Sequence, residues 1–225
     1  MTAETVVHLM RHGEVHNPDG VLYGRMSGFH LSGLGIAMAQ KVADTVGDRD
    51  ITHLVASPLE RAQETARPLA LARGLEVAVD ERVIESANIF QGEGFGPGAR
   101  TLRRPSAWRH LWNPFRPSWG EPYVAIVERM MAAVHDARDA ARGHEAVVVS
   151  HQLPIWITRL HAEQRSFVHH PRRRQCTLCS LTSLHFEGDE LRRVTYSEPA
   201  GDLIPSRARQ DPFSAGGESP EERRP

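Results

Sequence analysis

Apolar and polar positions along the chain fall into short blocks whose period changes, and each change marks an element. Thr5-Val-Val-His-Leu-Met10 is a short, β-branched apolar run that breaks abruptly into Arg11-His12-Gly13, so a strand is expected to give way there to a polar loop. Ser32 is a good helix cap, and after it Leu34, Ile36, Ala37, Ala39, Val42, Ala43 and Val46 form a broad apolar stripe that stops near Gly47. Residues 53–56 read as a second strand running into Ser57-Pro58. With Ser57 as cap and Pro58 as first helical residue, a helix is expected over 59–73, with Pro68 ending or kinking it early. Gly74 then turns the chain into a third strand at 75–79.

Regular patterning lapses from about 86 to 121, where Gly92, Gly94, Gly96, Pro97, Gly98, Pro105, Pro114 and Pro117 are mixed with Trp108, Trp112 and Trp119. Disordered segments are poor in aromatics, so this stretch reads as a partly ordered lid, with a short helix near 105–112 and the tryptophans as its own small core. Helical spacing returns with Tyr123, Ile126, Val127, Met130, Met131 and Val134 and runs to Gly143. Ala146-Val-Val-Val149 is a short all-apolar strand ending in Ser150-His151, and a helix follows over 154–162. Strands over 177–186 and 191–196 flank Glu187-Gly-Asp189, a hairpin signal, and after Pro199 the composition is that of a solvated tail. This order predicts an α/β fold, a mostly parallel central sheet with helices on both faces. A single domain spans 1–198, with the irregular insertion at 86–121 and a flexible C-terminal tail at 199–225. In such sheets ligands bind beyond the carboxyl ends of the strands. The chain puts Arg11-His12-Gly13, Ser57 with Arg61 one helical turn on, and Ser150-His151 at those ends.

Composition narrows the partners. With 27 Lys+Arg against 28 Asp+Glu, no global field would hold the protein on nucleic acid or an acidic membrane, so the expected partner is a small molecule; a homodimer is compatible with this reading. Lys41 is the only lysine, so the basic residues are otherwise arginines, whose planar fork grips phosphate and carboxylate with two bonds at once. No apolar run approaches the roughly 18 residues a membrane span needs, and the first residues lack a signal-peptide layout, which makes the cytoplasm the expected location. Two cysteines, Cys176 and Cys179, cannot build a disulfide framework; as a strand pair three apart they are expected on opposite faces, as core residues rather than a zinc site with His169 and His170. Arg172-Arg-Arg174 reads as a solvated turn, and His8, inside its strand, does not join His12 and His16 in a metal site.

Two histidines and two arginines without metal-binding carboxylates suit chemistry on a phosphoryl group. A neutral imidazole is a competent nucleophile toward phosphorus, and Arg11 and Arg61 would keep it neutral, since nearby cations disfavour imidazolium. Its other nitrogen needs an acceptor, for which a carbonyl in the loop after Gly13 is expected. Four blocks carry the chemistry further: Leu9-Met-Arg11-His12-Gly13-Glu14 with Asn17; Ser57-Pro-Leu-Glu-Arg61-Ala-Gln-Glu-Thr65-Ala66; Asp80-Glu-Arg-Val-Ile-Glu85; and Val149-Ser150-His151.

Together, and in this order, these blocks resemble the histidine phosphatase superfamily, in its phosphoglycerate mutase-like branch, over about residues 4–198. The resemblance implies that His12 is the phosphorylated nucleophile, that Arg11, Arg61 and His151 bind the phosphoryl group, and that Glu85 gives a proton to the leaving alcohol. Asn17 and the loop Arg25-Met-Ser27-Gly28 would lie beside the substrate, and neither metal nor organic cofactor would be needed. After Glu85 the family usually continues toward Trp-Glu-Gly, whereas this chain has Gln91-Gly-Glu-Gly94, which leaves the acid open between Glu85 and Glu93. Hydrolysis of a phosphomonoester is the favoured reading. Mutase-type phosphoryl transfer is the alternative, since Arg103-Arg104 resemble the mutases' paired arginines, and a catalytically silent module that binds phosphorylated ligands is a third.

Overall fold

A computed structural model describes residues 3–89, 91–92, 120–170 and 174–204. Strand β1 (Glu4–Arg11) leads through helix α1 (Gly33–Val46), β2 (Ile51–Ala56), α2 (Glu60–Arg73) and β3 (Ala78–Val79) to a 3-10 turn at Glu81–Val83. Beyond the insertion come α3 (Tyr123–Ala140), β4 (Glu145–Ser150), α4 (Gln152–Ala162) and the hairpin β5 (Leu181–Glu187) and β6 (Glu190–Ser197). The sheet order is β3-β2-β4-β1-β5-β6, parallel from β3 to β1 and antiparallel in β5 and β6. Alternation splits the strands between two cores. Val7 and Leu9 of β1 and Ala146 and Val148 of β4 pack with α3 and α4, while Met10, Val147 and Val149 pack with α1 and α2. Both faces of β4 are covered, which explains its unbroken apolar run.

The register sets the site. Arg11 lies opposite Ser150 on β1 and β4, and Ala56 lies opposite Val149 on β2 and β4. Three neighbouring parallel strands therefore end level, and each delivers its next residue, Ser57, His12 or His151, to one edge. Backbone bonds continue the ladder past the strand ends, from His12 N–H to Ser150 O at 3.1 Å and from Ser57 N–H to Val149 O at 3.0 Å.

Several local expectations change for identifiable reasons. Pro68 does not end α2, which runs on to Arg73 before Gly74, at φ 64°, closes it in the left-handed region. Buried Ala66, Leu69 and Ala70 around the proline outweigh the single backbone bond that it cannot make. The helix also starts late, with Leu59 rather than Ser57 at its cap; the Ser57 hydroxyl accepts the Leu59 N–H at 3.4 Å and meets His151 Nε2 at 2.8 Å. Only Ala78 and Val79 pair with β2, while Leu75 and Val77 pack on the α1–α2 core. Residues 176–180 form a turn with Cys179 at φ 54°, so the two cysteines precede β5 instead of lying in it; both are buried and free. Ala200 and Ile204 are buried against the same core, so the chain is packed to at least Ile204 rather than solvated from Pro199 onward. The insertion's helix and tryptophans, and the tail beyond 204, lie outside the described residues.

Helix α1 begins as expected, with Ser32 Oγ accepting the Gly35 N–H at 3.0 Å, but Ile36 and Ala37 face outward and Met38 takes the buried place. Gly35 fixes that rotation. A β-carbon there would collide with the Glu14 carbonyl oxygen, and one on Gly13 would come 2.7 Å from the Gly35 carbonyl oxygen. The loop after His12 thus lies directly on the first turn of α1, an approach open only to glycine. Gly35→Ala is expected to lower unfolding stability by about 3 kcal/mol or more in urea titration, since neither side of the contact can give way. A wild-type midpoint would mean that the loop is not seated on the helix.

Candidate active site

His12 is buried, and its Nδ1–H donates to the carbonyl of Gly13 at 2.8 Å. The acceptor is Gly13 itself rather than a residue beyond it, and this bond assigns the proton to Nδ1 and leaves Nε2 with its lone pair. The loop is held from α2: Thr65 Oγ accepts the Gly13 N–H at 3.0 Å and donates to the Arg61 carbonyl at 2.7 Å. It is held from α1 by buried Glu14, which accepts from Ser32 Oγ at 2.7 Å.

Around this imidazole the described chain collects positive charge. Arg11, the last residue of β1, is buried and donates through Nη1 to the Cys176 carbonyl at 2.8 Å. Arg61 is fully buried; Nη2 donates to the Gly24 carbonyl at 2.6 Å, and the cation stands 4.7 Å from the ring centre of Tyr23. Its Nε and Nη1 are buried with no hydrogen-bond partner among the described residues. His151 packs its ring 5.2 Å from that of His12, and its Nε2 meets Ser57 Oγ at 2.8 Å, while Nδ1 is buried without a partner. Burial is the first cause that holds both histidines well below the usual imidazole range, and the Arg61 cation is the second. The two arginines alone are therefore an incomplete account of His12's neutrality: desolvation leads. Burial also pushes the Tyr23 hydroxyl up to about 12.

Glu85 is half-buried at the rim, within electrostatic reach of Arg61 and Tyr23, and its Oε1 accepts from the Ser86 N–H at 2.8 Å. Its backbone is clamped. Arg25 Nε donates to the Glu85 carbonyl at 2.6 Å, and Arg129 Nη1 donates to the carbonyls of Arg82 and Ile84 at 2.6 and 2.8 Å. Glu121 accepts from both arginines, at 3.0 Å from Arg25 and at 2.8 and 3.0 Å from Arg129.

The structure thus brings together Arg11, His12, Arg61 and His151, with Glu85 beside them. The other expected substrate contacts are differently occupied. Asn17 spends both ends of its amide on Val21, at 2.9 and 3.1 Å, closing its own loop. Arg25 belongs to the clamp, Ser27 is exposed, and Gly28, at φ 80°, gives its N–H to Glu60 at 3.0 Å. Glu93 and Arg103-Arg104 lie outside the described residues. Sequence reasoning passed over Thr65, Tyr23, Glu121 and Arg129. Thr65 stood inside a quoted block, but the other three act through contacts between segments that no local spacing reveals.

Comparison with known proteins agrees with this geometry. The family model described as histidine phosphatase superfamily (branch 1) matches residues 7–199. An uncharacterized protein of Mycobacterium tuberculosis, Rv0525, is 56% identical over 200 residues, covering 89% of this chain and 99% of that protein. The probable phosphoglycerate mutase GpmB of Yersinia pestis is 29% identical over 187 residues, covering 80% of this chain and 85% of its own. Among solved structures, the mycobacterial glucosyl-3-phosphoglycerate phosphatase Rv2419c with VO3 is similar at TM-score 0.68 and 25% identity, covering 87% of this chain and 98% of that one.

The two buried histidines make folding oppose acid. Each binds a proton less readily folded than unfolded, so below about pH 6.5 the unfolded chain takes up more protons and stability falls with pH. Glu145, held down at about 2 by His8 and Arg49 against the opposing effect of burial, acts only below its ordinary value of 4.5. Urea midpoints between pH 6.5 and 5 are expected to drop in the wild type, and to drop less steeply in a His12→Asn, His151→Asn double variant. Equal slopes would mean that these rings are protonated in the fold.

Proposed function

The chain belongs to the histidine phosphatase superfamily, and on that premise we propose that it hydrolyses a phosphomonoester through a phosphohistidine on His12. One observation carries the reading: a buried imidazole, its tautomer set by the Gly13 carbonyl, stands beside a buried Arg61 with two guanidinium nitrogens that have no partner among the described residues. That pairing suits a nucleophile next to a receptor for phosphoryl oxygens. The phosphatase named among the structural neighbours supports hydrolysis, and GpmB supports transfer as the rival.

In this reading Arg11 and Arg61 take the phosphoryl oxygens. The Ser57 hydroxyl donates to His151 Nε2, which places a proton on Nδ1 for a further bond to the phosphoryl group. His12 Nε2 attacks phosphorus, the bond to the ester oxygen breaks, and the Glu85 carboxyl supplies a proton to the departing alkoxide. Water then displaces the imidazole, its proton passes to the Glu85 carboxylate, and inorganic phosphate leaves. No step calls on a metal or organic cofactor.

Hydrolysis of p-nitrophenyl phosphate is expected to survive a chelator and to vanish in His12→Ala. Phosphate binding without turnover would instead mark a silent binding module. Conversion of 3-phosphoglycerate to 2-phosphoglycerate, primed by a bisphosphoglycerate and faster than phosphate release, would mark a mutase. The acid is tested by the leaving group. An alkoxide needs a proton and p-nitrophenolate does not, so Glu85→Gln is expected to cut turnover of an alkyl phosphate by about 10²- to 10⁴-fold while sparing the aryl ester. Equal losses on both substrates would make Glu85 a structural residue, and the same leaving-group pattern in a Glu93 variant would move the acid there.

A further inference from the structure

Arg174 stands at the start of the segment that leads into β5, where the sequence pattern suggests a solvated turn. It is half-buried and held in place. Two residues later the Cys176 carbonyl receives the Arg11 guanidinium at 2.8 Å, so this segment walls the phosphoryl pocket. Arg174 Nε donates to His169 Nε2 at 2.9 Å, and His169 Nδ1–H donates to the Phe167 carbonyl at 2.7 Å. These two bonds require a neutral imidazole with its proton on Nδ1. The ring is anchored against Tyr123 of α3 at 6.1 Å and Trp156 of α4 at 5.9 Å.

Holding an arginine with a histidine has a specific outcome. A carboxylate in that place would orient the guanidinium and cancel its charge; a neutral ring orients it and leaves the charge whole. Among the described residues the Nε bond is Arg174's only hydrogen bond, so neither terminal NH2 group has an acceptor among them. The group stands within electrostatic reach of Glu85, the proposed proton donor, and of Arg11.

We propose that Arg174 is a second anion receptor, and that the substrate is a phosphomonoester whose alcohol portion carries another anionic group a few bonds from the phosphoryl. This rests on the hydrolytic reading and adds a substrate class to it. The end of the guanidinium fork matches two oxygens of a carboxylate or of a second phosphoryl group.

Two matched pairs test it and separate those two groups. 3-Phosphoglycerate against glycerol 3-phosphate differs by a carboxylate, and propane-1,3-diol bisphosphate against its monophosphate differs by a phosphoryl group. In the wild type kcat/KM is expected to favour the doubly anionic member of one pair by about 10- to 100-fold, the scale of a charge-assisted bond, and that pair identifies the group. Arg174→Ala is expected to collapse that ratio, mainly through KM, and Arg174→Lys to restore part of it. The same ratios are read as Kd by calorimetry in a His12→Ala background, where no turnover is required. Absence of any preference above about threefold in both pairs overturns the proposal, as does a ratio that survives Arg174→Ala. Loss of p-nitrophenyl phosphate hydrolysis in the wild type would sink the hydrolytic reading alone, because the binding ratios would still report on Arg174.

Discussion

Arg61 carries a full positive charge where no water reaches it and where no described carboxylate pairs with it. Removing a guanidinium from water without a counter-ion costs several kcal/mol, and the surrounding chain is arranged to soften that cost. A carbonyl from Gly24 and the face of Tyr23 are what it receives. Both come from the loop after Asn17, so the shape of that loop, closed by Asn17 onto Val21, follows from the need to solvate one cation. The charge in turn acts outward: together with burial it keeps two imidazoles neutral, and through the Thr65 hydroxyl its helix grips the backbone beside His12. In the function proposed above, a dianionic phosphoryl group would supply the missing counter-charge, and the energy stored in burying Arg61 would become affinity.

The strand ends were plain in the sequence because strands here stop where apolar residues stop. Met10, Ala56 and Val149 are each followed within two residues by the polar groups that meet at the sheet edge. Helix boundaries were legible where a local bond sets them, as at Ser32, and were misread where tertiary packing decides. Pro68 looks like a terminator until the buried residues on either side of it are counted. Ile36 looks like core until Gly35 is seen to own the inward face. Asn17 and Arg25 had the right chemistry for a ligand, yet Asn17 bonds the backbone of Val21 and Arg25 holds the Glu85 carbonyl and the Glu121 carboxylate. Nothing in a linear text distinguishes an arginine that holds a loop from one that waits for an anion.

Chemistry and selectivity are carried by different parts of the fold. The proposed nucleophile and phosphoryl receptors sit on two rigid strand ends and one helix, where small displacements would cost much rate. The groups proposed to meet the rest of a substrate sit on connections: Glu85 on the exit from the short 3-10 turn, Arg174 on the approach to β5. Such an arrangement lets one reaction be kept while the acceptable alcohol changes.

The clamp around Glu121 gives the insertion an unusual footing. Asn88 and Gly120 pair as an isolated bridge, the Glu121 N–H reaches the Ala87 carbonyl at 3.2 Å, and Gly92 and Gln91 are tied back to Leu22 and Arg25. The two ends of the insertion are therefore joined at one spot by bonds among the described residues. Because the entropy of closing a loop grows only with the logarithm of its length, a change in the number of residues between these anchors adds little closure cost. Evolution, or a protein engineer, can treat that span as an exchangeable cassette, swapping it between relatives while leaving the neck intact.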